Sequence, residues 1–302
     1  MSEPTLNYVQ CPDAVAGSAQ GHRMAYWQWG NPQGRHVVLC VHGLSRQGRD
    51  FDVLAQALCA RGGPEMRVVC PDVVGRGQSD WLQDPMGYQI PQYAADMLQL
   101  LKQLQPGTLD WVGTSMGGLI GLVVSGQPEL ALPVPVRRLV LNDVGPTIEW
   151  QALQRIGQYL GQPVRFSSLQ QAADALWLLS SSFGPHTQAQ WLALTRPMLK
   201  PATDGSGALV LHYDPAIAVA FRTVTPESAV QGEALLWHLY AQIQADILLT
   251  RGAQSDLLSH PTAQGMLARN EKARLVEFEG VGHAPTFIAD DQVNAVASFL
   301  LA

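Results

Sequence analysis

The chain has 302 residues, 47% of them hydrophobic and 15% charged, and its 19 Lys and Arg against 25 Asp and Glu give a formal net charge of −6. Soluble domains average about 25% charged residues, so this sequence has material for a large core under a sparingly charged surface, which excludes a disordered protein. Neither charge sign gathers into a block, which leaves nucleic acid without the cationic stripe that counterion release requires.

The opening stretch Met1 to Thr5 lacks a basic segment followed by an apolar one, and no apolar run reaches the roughly 18 residues of a bilayer span. The expectation is a soluble, cytoplasmic protein with neither an export signal nor a membrane partner. Cys11, Cys40, Cys59 and Cys70 show no metal-ligand spacing, and they are expected as reduced, buried thiols.

In chain order, Arg23 to Trp29 alternates its side chains and ends at Gly30, as in an antiparallel edge strand or hairpin arm. Short β-branched runs follow at Val37 to Val41, Arg67 to Cys70, Leu109 to Val112 and Arg138 to Leu141. After Pro146 the rhythm stops for about 85 residues, and helix-like stretches appear at Glu149 to Leu160, Leu169 to Ser181 and Gln188 to Leu199. A helix over Glu233 to Ile243 leads back to strands at Ile247 to Thr250 and Leu275 to Glu277. Continuous apolar strands separated by helices predict an α/β protein, with a mostly parallel central sheet flanked by helices and ligands gathered beyond the carboxyl ends of the strands. The boundaries expected are a core in two parts, 1–145 and 232–302, and an inserted helical unit at 146–231 placed to cover a cleft.

Gly113-Thr114-Ser115-Met116-Gly117 fits G-x-S-x-G between a strand and a helix. Such a turn holds the serine in a strained conformation at a helix N-terminus, with glycines where side chains would collide with strand and helix. A serine hydroxyl needs a base to take its proton and a third group to orient that base. Of eight histidines, His283 lies in the glycine-flexed loop Gly280 to Pro285 after the last strand, on the side where Ser115 emerges. Two carboxylates compete to orient it. Asp256, after Ile247 to Thr250, is expected to do so because one helix and one strand separate it from His283; Asp143, after Arg138 to Leu141, is the alternative acid and would otherwise pin the loop that opens the insert.

A tetrahedral oxyanion needs two preorganised N–H donors. The Leu44 N–H in His42-Gly43-Leu44-Ser45 and the Met116 N–H after the serine are the candidates. Arg46 and Trp177 are candidate substrate contacts, with an ion pair anchoring the loop as the competing role for Arg46 and core packing for Trp177. Asp72 to Asp80 contains Gly-x-Gly but neither a third glycine nor a Lys-Ser or Lys-Thr, and reads as a structural turn rather than a phosphate site.

Taken in order, His42-Gly43, Asp72 with Gly75 to Asp80, Gly113 to Gly118, Asp256 and Gly282-His283 resemble the α/β-hydrolase superfamily from about residue 36 to the C-terminus. The resemblance implies that fold, with 146–231 as its cap, Ser115 as nucleophile, His283 as base, Asp256 as its partner, and no metal or organic cofactor. Ser115 at the elbow, in place of Asp, separates the chain from haloalkane dehalogenases and epoxide hydrolases. Carbon–carbon bond hydrolases of ring-cleavage products are similar but typically carry Asn where this chain has Thr114. Bacterial carboxylesterases are the most similar group, including capped enzymes that cut small aryl or alkyl esters and hydroxy-acid oligomers; the expected partner is therefore a small-molecule ester. A non-catalytic fold used as receptor or scaffold is the third reading, which the intact set of residues disfavours.

Overall fold

Strands buried on both faces must present apolar side chains at successive positions, and this is what the β-branched runs do. The computed structural model describes residues 3–13 and 21–302; Met1 and Ser2, part of the opening stretch read above, lie outside the described residues. Along the chain come β1 (Thr5–Cys11), β2 (His22–Gly30), β3 (His36–Val41), α1 (Asp52–Arg61), β4 (Met66–Pro71), α2 (Ile90–Leu104), β5 (Thr108–Thr114), α3 (Met116–Gly126) and β6 (Val136–Asn142). The long connection then carries α4 (Trp150–Tyr159), α5 (Leu169–Ser180), α6 (Gln188–Thr195), the small hairpin β7 (Leu199–Pro201) and β8 (Leu209–Leu211), α7 (Ile217–Arg222) and α8 (Pro226–Gln242). The chain closes with β9 (Asp246–Gly252), α9 (His260–Arg269), β10 (Ala273–Phe278) and α10 (Asp290–Leu301).

Eight strands form one sheet in the order β1-β2-β4-β3-β5-β6-β9-β10. β1 and β2 pair antiparallel, as do β2 and β4, and every later pairing is parallel. In β3 the pleat divides the run: Val37, Leu39 and Val41 join the core on one face with Leu100 and Leu101 of α2, Ile120 of α3 and Tyr240 of α8. Val38 and Cys40 face Leu54 and Leu58 of α1 and Val296 and Leu300 of α10. None of the helices is long and apolar enough to cross a membrane among the described residues.

Some expectations need correction. Of the two readings of Arg23 to Trp29, the antiparallel hairpin arm holds and the edge strand does not: β2 pairs with β1, which is the edge and whose mostly exposed residues gave no apolar run to read. The insert was expected to lack strands, but it holds β7 and β8, each three residues and too short for periodicity to register. α7 was missed for the same reason. The boundary expected at 231/232 falls inside α8, which begins at Pro226 behind a Thr225 cap that exchanges hydrogen bonds with Ser228. Three cysteines, Cys11, Cys40 and Cys70, are buried, Cys59 is half-buried, and all four are free.

At the β1 edge, buried His22 lies between two carboxylates, with Nδ1 2.6 Å from Asp13 and Nε2 3.0 Å from Asp96. Burial alone would depress this imidazole; the hydrogen bonds and charges of Asp96 and Asp13 outweigh it and hold the pKa above its ordinary value. A pKa raised in the folded state contributes stability that is complete below the unfolded value of about 6.5 and is lost as pH rises through the folded one. His22→Gln is therefore expected to cost about 3 kcal/mol near pH 6 and less at pH 9, because it leaves a buried carboxylate without its cation. Thermal melts of both proteins across that range check this: parallel curves with a constant offset would contradict it.

Candidate active site

Ser115 follows β5 and precedes α3 with φ 51° and ψ −116°, a conformation that costs energy for any L-residue and points the side chain clear of the sheet. Its N–H donates to the Asn142 carbonyl at 3.0 Å, which ties the turn to β6. The flanking glycines are steric requirements. A Cβ on Gly117 would lie 1.9 Å from the Val41 carbonyl oxygen, and one on Gly113 would lie 2.3 Å from that of Gly117.

The Ser115 Oγ lies 3.0 Å from Nε2 of His283, and Nδ1 of His283 lies 2.7 Å from Oδ2 of Asp143. The structure thus brings together the serine and histidine singled out from the sequence, but the carboxylate that meets them is Asp143. Asp256 is a correction to the sequence reading: its half-exposed carboxylate turns outward and pairs with Arg155 at 2.7 Å. Spacing along the chain could not separate the two, because both follow strand ends. The backbone decides between them. Asp143 adopts φ 55°, and its buried carboxylate also accepts the Gly252 N–H at 2.9 Å and the Ser255 hydroxyl at 2.6 Å. The loop expected to supply the acid supplies its neighbour, Ser255, as a brace.

Leu44 and Met116 sit beside Ser115, and neither backbone N–H donates a hydrogen bond among the described residues. The loop bearing Leu44 is fixed by Arg76, His42 and Asp72, which the sequence marks only as parts of motifs. Fully buried Arg76 donates to the Leu44 carbonyl at 2.8 Å, to the Val74 carbonyl and to the Tyr93 hydroxyl, with its remaining nitrogen 3.5 Å from the Met116 sulfur. His42 accepts the Val73 N–H at Nε2, so its proton is on Nδ1, which donates to the Gly43 carbonyl; burial pushes its pKa down to about 3 and keeps it neutral. Asp72 accepts N–H groups of Gly48 and Gln78, and burial raises its pKa to about 6. The Gly-x-Gly segment is thus a structural turn, as read: a Cβ on Gly77 would collide with Asp72.

Buried Asn142 was also missed. Its Nδ2 donates to the Thr114 hydroxyl at 3.0 Å and the Pro285 carbonyl at 2.8 Å, and its Oδ1 accepts the Thr250 hydroxyl at 2.8 Å. One amide therefore joins the serine turn, the histidine loop and β9. The only signal in the sequence was a polar residue ending the apolar run of β6. From the long insert, Ser182 donates its hydroxyl to the His283 carbonyl, and its own carbonyl accepts the Gly282 N–H.

Ser115, Leu44 and Met116 open on a cavity of about 890 Å³ with a mostly apolar wall that includes Leu119, Trp150 and Phe221. The two candidate substrate contacts are elsewhere. Arg46 is held by Asp50 through two hydrogen bonds of 2.6 and 2.7 Å and lines a separate small cavity with Thr114, which fits the anchoring role. Trp177 packs edge-on against Trp191 at 5.1 Å and lines neither cavity. Among the described residues one group of possible metal ligands lies together, Cys11, His22 and Asp96, far along the sheet at β1; both His22 nitrogens there are already engaged by carboxylates.

A model of the alpha/beta hydrolase family matches residues 38–297, and the chain belongs to that family, whose members' fold the sheet and its helices reproduce. It is similar to a 3-hydroxybutyrate-oligomer hydrolase of Cupriavidus necator, 48% identical over 299 residues that cover 99% of this chain and 98% of the relative. An esterase of Mycobacterium tuberculosis is 27% identical over 283 residues, 89% of this chain and 82% of that protein. Among solved structures, an alpha/beta hydrolase from Novosphingobium aromaticivorans superposes with a TM-score of 0.83 at 33% identity and covers 99% of each chain.

Because the Gly117 site is closed by backbone rather than by a yielding side chain, Gly117→Ala is expected to destabilise the fold by about 3 kcal/mol or more. Urea unfolding gives the measurement, and a loss below about 1 kcal/mol would show that the turn relaxes.

Proposed function

We propose that this protein is a serine carboxylesterase that cleaves short oligoesters of hydroxy acids through an acyl-serine intermediate. The carrying observation is the chain of contacts from Ser115 through His283 to Asp143, set beside two unengaged N–H groups at the wall of a large apolar cavity. The 48% identity to a 3-hydroxybutyrate-oligomer hydrolase supports the substrate class, and so does the cavity, since the interior of such an oligomer carries methyl groups and esters but no charge.

In this reading the Ser115 Oγ attacks the ester carbonyl carbon while His283 Nε2 takes its proton. The Asp143 carboxylate holds the other ring proton on Nδ1 and stabilises the imidazolium. The carbonyl oxygen, now negative, enters the space between the Leu44 and Met116 N–H groups, where each preorganised donor is worth about 10² to 10³ in rate. Collapse breaks the bond to the alcohol oxygen, which leaves with the proton from Nε2. Water then adds to the acyl carbon as it gives a proton to the same nitrogen; collapse breaks the bond to the Ser115 Oγ, which takes that proton back, and the acid is released. The insert that opens at residue 146 and runs into α8 serves as the cap: it supplies much of the cavity wall and keeps bulk water from the acyl-serine.

Ser115→Ala is expected to lower kcat on p-nitrophenyl butyrate by about 10⁶, and Asp143→Asn by about 10⁴, by analogy with other serine hydrolases. Asp256→Asn, which removes only an exposed ion pair, is expected to stay within about threefold of the parent. A phosphonate that fails to label Ser115, or turnover that survives Ser115→Ala, would overturn the reading; release of monomer from 3-hydroxybutyrate trimer tests the substrate class.

A further inference from the structure

The cavity beside Ser115 has one acidic or basic side chain on its wall, that of Glu233 on α8; no Lys, Arg or His shares the wall among the described residues. Glu233 is half-buried and aimed by a short relay. The Trp237 Nε1–H donates to the Thr147 hydroxyl oxygen at 3.0 Å, and that hydroxyl donates to Glu233 Oε1 at 2.6 Å. Oε2 accepts no hydrogen bond among the described residues. A mostly apolar wall thus carries one carboxylate, oriented through Oε1 and with Oε2 unengaged among the described residues.

A hydroxy-acid oligoester has two unlike ends. When an internal ester is cut, the acyl half bound to Ser115 carries the free hydroxyl end, and the departing alcohol half carries the free carboxylate end. A carboxylate drawn into this cavity would lose its water, meet no cation and face the Glu233 carboxylate; a hydroxyl would find an acceptor. We infer that Glu233 sets the direction in which the chain enters: the cavity takes acyl chains that end in a neutral hydroxyl and rejects those that end in carboxylate. The inference deepens the esterase reading and rests on it. It assigns the cavity to the acyl half and leaves the carboxylate-bearing half outside this wall.

The test uses p-nitrophenyl esters of hexanoic and octanoic chains whose far end is methyl, hydroxyl or carboxylate, with kcat/KM measured for the parent, Glu233→Gln, Glu233→Lys and Thr147→Val. Ratios between esters within one variant do not depend on the fraction of folded protein. In the parent, the hydroxyl-ended ester is expected to exceed the methyl-ended one by about tenfold and the carboxylate-ended one by about 100-fold, the range for a hydrogen bond to a charged acceptor and for like charges brought together. Glu233→Gln should cut the hydroxyl-to-carboxylate ratio to about tenfold or less, and Glu233→Lys should invert it. Thr147→Val, which removes the aim but keeps the charge, should abolish the hydroxyl preference while carboxylate rejection persists. If no ester of the set is hydrolysed, the esterase reading falls and this inference with it. If the esters are hydrolysed but the ratios in Glu233→Gln and Glu233→Lys match the parent within twofold, the inference alone is overturned.

Discussion

The Asp143 carboxylate is fully buried, and the groups that hold it are His283 Nδ1, the Gly252 N–H and the Ser255 hydroxyl. Removing such a group from water costs several kcal/mol unless its oxygens are filled, so these contacts are a condition of the fold as well as features of a site. They gather the end of β6, the end of β9 with its following loop, and the loop after β10 around one point. The imidazole at that point can use only one nitrogen for Asp143, which leaves Nε2 for Ser115. Asn142, one residue earlier, performs the matching task for the serine turn, joining it to the Pro285 carbonyl and to Thr250. Two neighbouring residues at one strand end therefore define where a hydroxyl and an imidazole from distant parts of the chain meet.

The loop of Leu44 depends on a different kind of burial. Arg76, His42 and Asp72 are all closed off from solvent, and most of their hydrogen bonds go to backbone groups of neighbouring turns. A buried guanidinium fork reaching two carbonyls and a tyrosine hydroxyl is a stiff connection, since its five donors have fixed relative directions. Through it, the carbonyl of Leu44 and the sulfur of Met116 are held by the same side chain. The two free N–H groups beside Ser115 thereby come from turns that share a common anchor.

Much of this could be read from the residues. The strands of the parallel sheet announced themselves because burial on both faces forces unbroken apolar runs, and the serine turn because backbone crowding demands glycine at 113 and 117. Short or half-exposed elements, β1, β7, β8 and α7, left too few residues for any period to appear. The acid was misplaced for a different reason. Asp143 and Asp256 both follow strand ends, and what separates them is a positive φ at 143 and an outward turn at 256, neither of which leaves a mark in residue type. Asn142, Ser255 and Arg76 were invisible as supports because most of their partners, hydroxyls and carbonyls and, for Ser255, the Asp143 carboxylate, are remote in the chain.

Ser182, finally, belongs to the segment that walls the cavity, yet it grips the backbone on both sides of the histidine loop. The segment that supplies much of the cavity wall thus also braces the loop of His283. A change in this segment that shifted residues 181–183 would therefore also pull on the loop of His283.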